Sequence, residues 1–246
     1  MHWKLLTYPQ IQALDRSTTV PILPVGAVEA HGPHLPLCTD DLISEAMAES
    51  ACRQLARHGL QGIILPTWSF NPAGFAREFS GTLSFSPELT ARMLQDLAQS
   101  LALQGWSLLA VANSHFDPIH LASLKAALQE LALAVAFPDL TRGKYARRLT
   151  SEFQSGACHA GLYETSIVLT RSPELVHQHD LPPVPHSLVE AIVQGRTTFA
   201  ESGGPQAYFG TPARASAEEG QQTIEELGLI LVESILEQRQ TLPTSP

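Results

Sequence analysis

Apolar runs of strand length alternate along this chain with longer stretches whose apolar residues recur at helical spacing. That alternation constrains the fold more than any other feature. Val20 to Val28 reads as a buried strand. Asp40-Asp41 reads as the N-cap of a helix over Leu42 to Arg57, which Gly59 stops. Gly62 to Phe70 reads as a second strand, and Thr82 to Phe85 as a short one. Ser86-Pro87 supplies an N-cap and an N1 proline for a helix over Glu88 to Leu103, with Gly105 just past its end. Trp106 to Ala112 is a third strand, Pro118 to Leu131 a helix, and Ala134 to Phe137 a further short strand. Near the C-terminus, Ser216 with Glu219 forms a capping box ahead of an amphipathic run from Ile224 to Leu236. Strands alternating with helices predict an α/β fold, with a mostly parallel sheet flanked by helices on both faces. No repeat or Gly/Ser-rich linker divides the chain, and Leu181 to His186 is a short Pro-rich loop, so residues 1–246 are expected to form one domain.

Composition narrows the function. Among 246 residues, 44% are hydrophobic and 16% charged, which excludes a disordered or fibrous chain. The formal net charge of -9, with no basic cluster larger than Arg147-Arg148, argues against nucleic acid as a partner. Cys38, Cys52 and Cys158 are odd in number and form no Cys-x-x-Cys, which points to a reducing, cytoplasmic setting. The longest strictly apolar run, Leu131 to Phe137, is too short to span a bilayer, and Met1 to Tyr8 does not read as a signal peptide.

Chemistry-bearing residues gather after the expected strands, where α/β sheets place their ligands. After the first strand come Glu29, His31, His34 and Asp40. Glu29 and His31 point the same way if the backbone stays extended. With Asp40 they make a donor set suited to Zn²⁺, Mn²⁺ or Fe²⁺. Asp40 equally suits a helix cap, and His34 suits a loop. After the third strand, His115 and Asp117 repeat the two-residue spacing, although Asp117 could serve only as the cap ahead of Pro118. His120, one turn further on, reads as structural. A third group pairs His159 with Glu164, a carboxylate able to fix a histidine's tautomer, as a general acid needs. A buried pair holding a helix entrance would look the same. Cys158 adjoins His159, but chain neighbours usually point apart, so a thiol mechanism is disfavoured. His177, His179 and His186 suit a solvated loop.

The run Pro24-Val25-Gly26-Ala27-Val28-Glu29-Ala30-His31-Gly32-Pro33-His34-Leu35-Pro36-Leu37-Cys38-Thr39-Asp40 resembles the signature of the creatininase (creatinine amidohydrolase) family. His115 matches the histidine of that family's Asn-Gly-His motif, and His159-Ala160-Gly161 with Glu164-Thr165-Ser166 its third motif. Gly81-Thr82-Leu83-Ser84, Gly210-Thr211-Pro212 and Ala217-Glu218-Glu219-Gly220 resemble later segments, in family order. The resemblance implies a layered α/β fold, a homohexamer, and hydrolysis of an amide C–N bond by metal-activated water, with one or two ions per chain, zinc ahead of manganese or iron. It implies Glu29, Asp40 and His115 around one ion, and His31, Asp40 and Asp117 around the other, with Asp40 shared. His159 matches the catalytic histidine and Glu164 its carboxylate partner.

Departures bear on the substrate. Asp117 is one methylene shorter than the glutamate of creatininases. The pocket segment Asn71 to Glu78 lacks the histidine that relatives carry. The implied substrate is a small cyclic amide or a formamide other than creatinine. Two alternatives stand beside it: a peptidase acting on a small precursor peptide, and a non-catalytic metal- or metabolite-binding member of the fold.

Overall fold

The computed structural model describes residues 1–157, 159–177 and 180–242. Cys158 and His179 lie outside them. Four parallel strands, β1 (Thr19–Val25), β2 (Gln61–Ile64), β3 (Leu108–Asn113) and β4 (Ala134–Ala136), lie in the order β2-β1-β3-β4. In register, Ile22 meets Ile64 on one side, and Val25 meets Asn113 on the other. The chain leaves β1 toward β2 and returns across it to β3, so the strand order reverses between β1 and β3. A crevice at such a switch point, beyond the carboxyl ends of the strands, is where open α/β sheets bind ligands.

The helices are α1 (Tyr8–Gln12), α2 (Thr39–Leu55), α3 (Pro87–Leu103), α4 (Pro118–Gln129), α5 (Gly143–Ala146), α6 (Ser151–Ser155), α7 (Leu162–Arg171), α8 (Leu188–Val193) and α9 (Ala217–Thr241). The two faces of the sheet are both apolar, as parallel sheets require. Val20, Ile22, Leu108 and Ala110 pack with residues of α2, α7 and α9. Their strand neighbours Leu23, Val25, Leu109 and Val111 pack with α3 and α4. Each fully buried Leu or Ile there contributes about 1.5–3 kcal/mol. A third cluster, built on Ala30, Phe75, Phe199 and Phe209, sits away from both cores.

The expected elements occur, with four corrections. The first helix begins at Thr39, and Cys38 occupies its cap position, so Asp40 and Asp41 lie inside the first turn rather than capping it. Thr39 donates to the Pro36 carbonyl through both its amide and Oγ1, closing the turn that leads into the helix. The second strand ends at Ile64 instead of Phe70, because Pro66 has no N–H to donate. Pairing resumes only as a bridge from Trp68 to Val25. The segment from Thr82 to Phe85 contributes a single bridge, Leu83 to Val28, and no strand. The capping box before α9 is half formed: Ser216 Oγ accepts from the Glu219 amide, while Glu219 Oε1 has no hydrogen bond. Among the described residues no helix is long and apolar enough to cross a membrane.

Candidate metal centre

The loop leaving β1 turns at Gly26, whose α-carbon packs so closely on α2 that a Cβ would lie 2.6 Å from the Asp41 amide. The loop is pinned by the Glu29 amide donating to the Leu37 carbonyl and the Ala30 amide to Thr82 Oγ1. Glu29 and His31 are thereby delivered to the end of β1, Asp40 arrives on the first turn of α2, and His115 follows β3. His159 and Glu164 come from the entrance of α7, across Ala160, which holds a left-handed φ of 50°. A non-glycine residue in that region is held there by its surroundings. Here the Ala160 amide donates to Glu164 Oε2 at 2.6 Å.

All six side chains are buried. His31 Nε2 lies 3.4 Å from Asp40 Oδ1 and 3.6 Å from Glu164 Oε2. His115 Nδ1 lies 3.0 Å from Asp40 Oδ2 and 3.3 Å from Glu29 Oε2. Their donor atoms converge in three overlapping groups: Glu29, Asp40 and His115; His31, Asp40 and Glu164; and Glu29, His31 and His159. Asp40 belongs to the first two and stands between them.

The second nitrogen of each histidine explains its orientation. His31 Nδ1 is 3.0 Å from the Glu29 carbonyl, His115 Nε2 is 2.7 Å from the Pro72 carbonyl, and His159 Nε2 is 3.0 Å from the Ala30 carbonyl. A carbonyl only accepts, so each of these nitrogens carries the proton. That leaves the other nitrogen of each ring as the one able to present a lone pair to a metal ion. His120 supports the set from behind: its Nε2 donates to Asn113 Oδ1, and Asn113 Nδ2 donates to the His115 carbonyl.

Electrostatics say what is missing from such a cluster. Burial disfavours a charged His31, yet Asp40, Glu164 and Glu29 outweigh it and raise its pKa to about 10. His115 is raised well above the ordinary histidine value, with Glu29 and Asp40 overcoming burial. Burial lifts Glu29, and it lifts Glu164 to about 8. Asp40 is lowered despite burial, because His31 and His115 face it. His159 is depressed by burial and by the neighbouring His31 charge. Three carboxylates packed together hold protons on His31 and His115 because nothing else there is positive. Glu29 Oε1, His31 Nε2 and Asp40 Oδ2 are buried without a hydrogen bond of acceptable geometry. Orphaned N and O donors around one point fit a divalent cation of the zinc or manganese type.

The remaining candidates fall elsewhere. Asp117 lines the same cavity, but its Oδ1 accepts from the amides of Ile119 and His120, and its Oδ2 from the amide of Phe75. It caps α4 and ties down the Phe75 turn, and it joins none of the three donor groups among the described residues. Glu164 faces His31 rather than His159. His159 instead stacks on Phe199, with centroids 4.1 Å apart, and lies tilted against His31 at 4.3 Å. His34 is fully buried, with Nε2 3.0 Å from Thr165 Oγ1 on α7. His177 and His186 are exposed. Phe199, Phe75, Leu188 and Ile192 also line the cavity. Phe75 lies in the segment Asn71 to Glu78 that the family resemblance marked as the pocket, while Phe199, Leu188 and Ile192 were missed because they belong to an irregular segment or a short helix with no local pattern.

Comparison with known proteins follows the same line. A family model described as "Creatininase: Creatinine amidohydrolase" matches residues 4–235. The chain is 29% identical over 213 residues to a mycofactocin precursor peptide peptidase of Mycobacterium ulcerans, covering 84% of this chain and 80% of that protein. It is 26% identical over 186 residues to a creatinine amidohydrolase of Pseudomonas putida, covering 70% and 72%. A solved structure named "Creatininase Mn" superposes with a TM-score of 0.71 at 21% identity, covering 96% and 97%, a likeness of fold.

Proposed function

Because the chain belongs to the creatininase family of amidohydrolases, we propose that it is a metal-dependent hydrolase of an amide C–N bond. The observation that carries this reading is the convergence of three carboxylates and three histidines, with buried, unbonded donor atoms, at the sheet's switch point. Glu29, Asp40 and His115 would hold one ion. His31 and Asp40 would hold a second, with Glu164 as the better-placed third donor, since both oxygens of Asp117 are engaged by amides. Zinc suits this mixed N and O set, and manganese or iron would also fit. An ion bound there supplies Lewis-acid polarisation of a carbonyl and activation of water at neutral pH.

The chain's own residues do the rest. The carbonyls of Glu29, Pro72 and Ala30 fix the three histidine tautomers. His159 is kept neutral by burial, with Nε2–H locked and Nδ1 free, so it can take a proton at Nδ1 and pass it to the departing nitrogen. Phe199 holds its ring in place by stacking, and the tilted His31 ring packs against it. The proposed unit is a single domain of residues 1–246, acting as a cytoplasmic homohexamer on a small cyclic amide or formamide other than creatinine. A second reading, a peptidase acting on a small precursor peptide, is favoured by the peptidase names of relatives that align with most of this chain.

Metal content of chelator-free, untagged protein tests the site. About two ions per chain are expected for wild type, falling to about one in Glu164→Gln. His159→Ala should keep its metal and lose turnover of every amide that the wild type hydrolyses. A wild-type chain that takes up no zinc, manganese or iron after reconstitution overturns the reading.

A further inference from the structure

The cavity over the metal centre has two unlike walls. One is the cluster of carboxylates and histidines. The other is built from Phe75, Phe116, Pro118, Leu188, Ile192 and Phe199. Between them lies a small cavity of about 40 Å³.

The polar groups outside the metal cluster are already committed. Ser114 Oγ donates to the Asp40 carbonyl, and the Asp117 carboxylate accepts from three backbone amides. Among the described residues no lysine or arginine lines the cavity, while four carboxylates do: Glu29, Asp40, Asp117 and Glu164. A charged substrate group directed at the apolar residues would lose water and gain no partner, which is costly. An apolar group would gain burial there.

The wall is a built feature. Leu188 and Ile192 lie four residues apart, on one face of α8. Both are half-buried and pack against the third apolar cluster with Phe75 and Phe199. The helix is moored at its start, where the Leu188 amide donates to the Gly156 carbonyl and Ser187 caps it. Phe199 is moored to Phe75, its amide donating to the Phe75 carbonyl. We propose that this wall selects substrates bearing an uncharged aliphatic or aromatic group beside the scissile amide, with Leu188 and Ile192 as specificity-determining residues. The proposal rests on the amidohydrolase reading and names the substrate class for that site.

The test uses metal-loaded full-length protein and a series of N-formyl and N-acetyl amino-acid amides differing only in one side chain: Phe, Leu, Ala, Asp or Lys. Both kcat/KM and Kd by calorimetry are read for each member. Phe and Leu members should exceed Asp and Lys members by about tenfold or more, mainly through KM and Kd. Ile192→Lys, with Leu188→Lys as a second variant in case the first fails to fold, should erase that preference in favour of the Asp member. Metal content should not change in either variant. Equal handling of all side chains by wild type, or a uniform loss across the series in both variants, overturns the proposal. Apolar preference in Kd without turnover of any member would keep the wall and overturn the hydrolase reading instead.

Discussion

Asp117 and Glu164 carry the same functional group into the same cavity and are put to different work. The difference is the number of backbone amides each meets. Asp117 meets three, the first two at the open end of α4, where unpaired N–H groups and the helix dipole favour a carboxylate. Its lone pairs are spent on holding α4 to the Phe75 turn. Glu164 meets one amide, that of Ala160, and keeps an edge toward His31. Asp117→Ala should therefore act on stability, removing the cap and the tie at a cost of about 1–2 kcal/mol. Its metal content should stay at the wild-type level. Thermal unfolding and elemental analysis of one preparation check both halves, and a loss of one ion would place Asp117 among the ligands after all.

At the scale of elements, the position of Glu164 depends on how α7 is seated. Helix α9 passes so close to α7 that a Cβ on Gly220 would lie 1.9 Å from the Ser166 carbonyl oxygen. Further along, a Cβ on Gly228 would lie 2.3 Å from Ser50 Oγ on α2. These contacts lock α9 against the two helices that carry Asp40 and Glu164. Glu152 adds a tie from α6, accepting from the Tyr163 amide at the start of α7 and from the Thr211 amide ahead of α9. Gly220→Val should push α7 away and cost roughly 1–3 kcal/mol through overpacking. Because the displacement reaches Glu164, the variant should also bind metal more weakly than wild type. Unfolding midpoints and a metal titration read the two effects separately.

For the molecule as a whole, the metal cluster makes stability depend on pH in a way that reports its loading. Without an ion, Glu164 has a pKa of about 8, above its ordinary 4.5, and His31 one of about 10, above its ordinary 6.5. Both groups are raised, so the folded chain holds protons that the unfolded chain has released. Each contribution to stability is complete below the ordinary value and is lost as pH rises toward the folded one. The buried, depressed His159 and His120 have the opposite sign, and their contribution is complete once pH passes 6.5. Between pH 6.5 and 8, Tm of chelator-treated protein should fall, and Glu164→Gln should flatten that fall. Restoring zinc should raise Tm, because an ion that binds only the folded state stabilises it. A chelated protein whose Tm does not respond to pH in this window would argue against the charge cluster as described.

The sequence by itself determined the elements and their order. Continuous apolar runs and helical apolar spacing act within one element, so β1, β3, α3 and α9 were legible to within a few residues, and parallel layers followed from their alternation. It also singled out Glu29, His31 and Asp40, which the structure brings together, because they share one short run that resembles a known signature. Local patterns stopped where partners are distant in the chain. That Pro66 ends β2, that Cys38 and not Asp40 holds the cap position of α2, and that Glu164 faces His31 are settled by which backbone groups lie opposite. The apolar wall of α8 and Phe199 is the extreme case. It exists only because residues 75, 188, 192 and 199 meet across loops, and such packing is decided by tertiary structure alone.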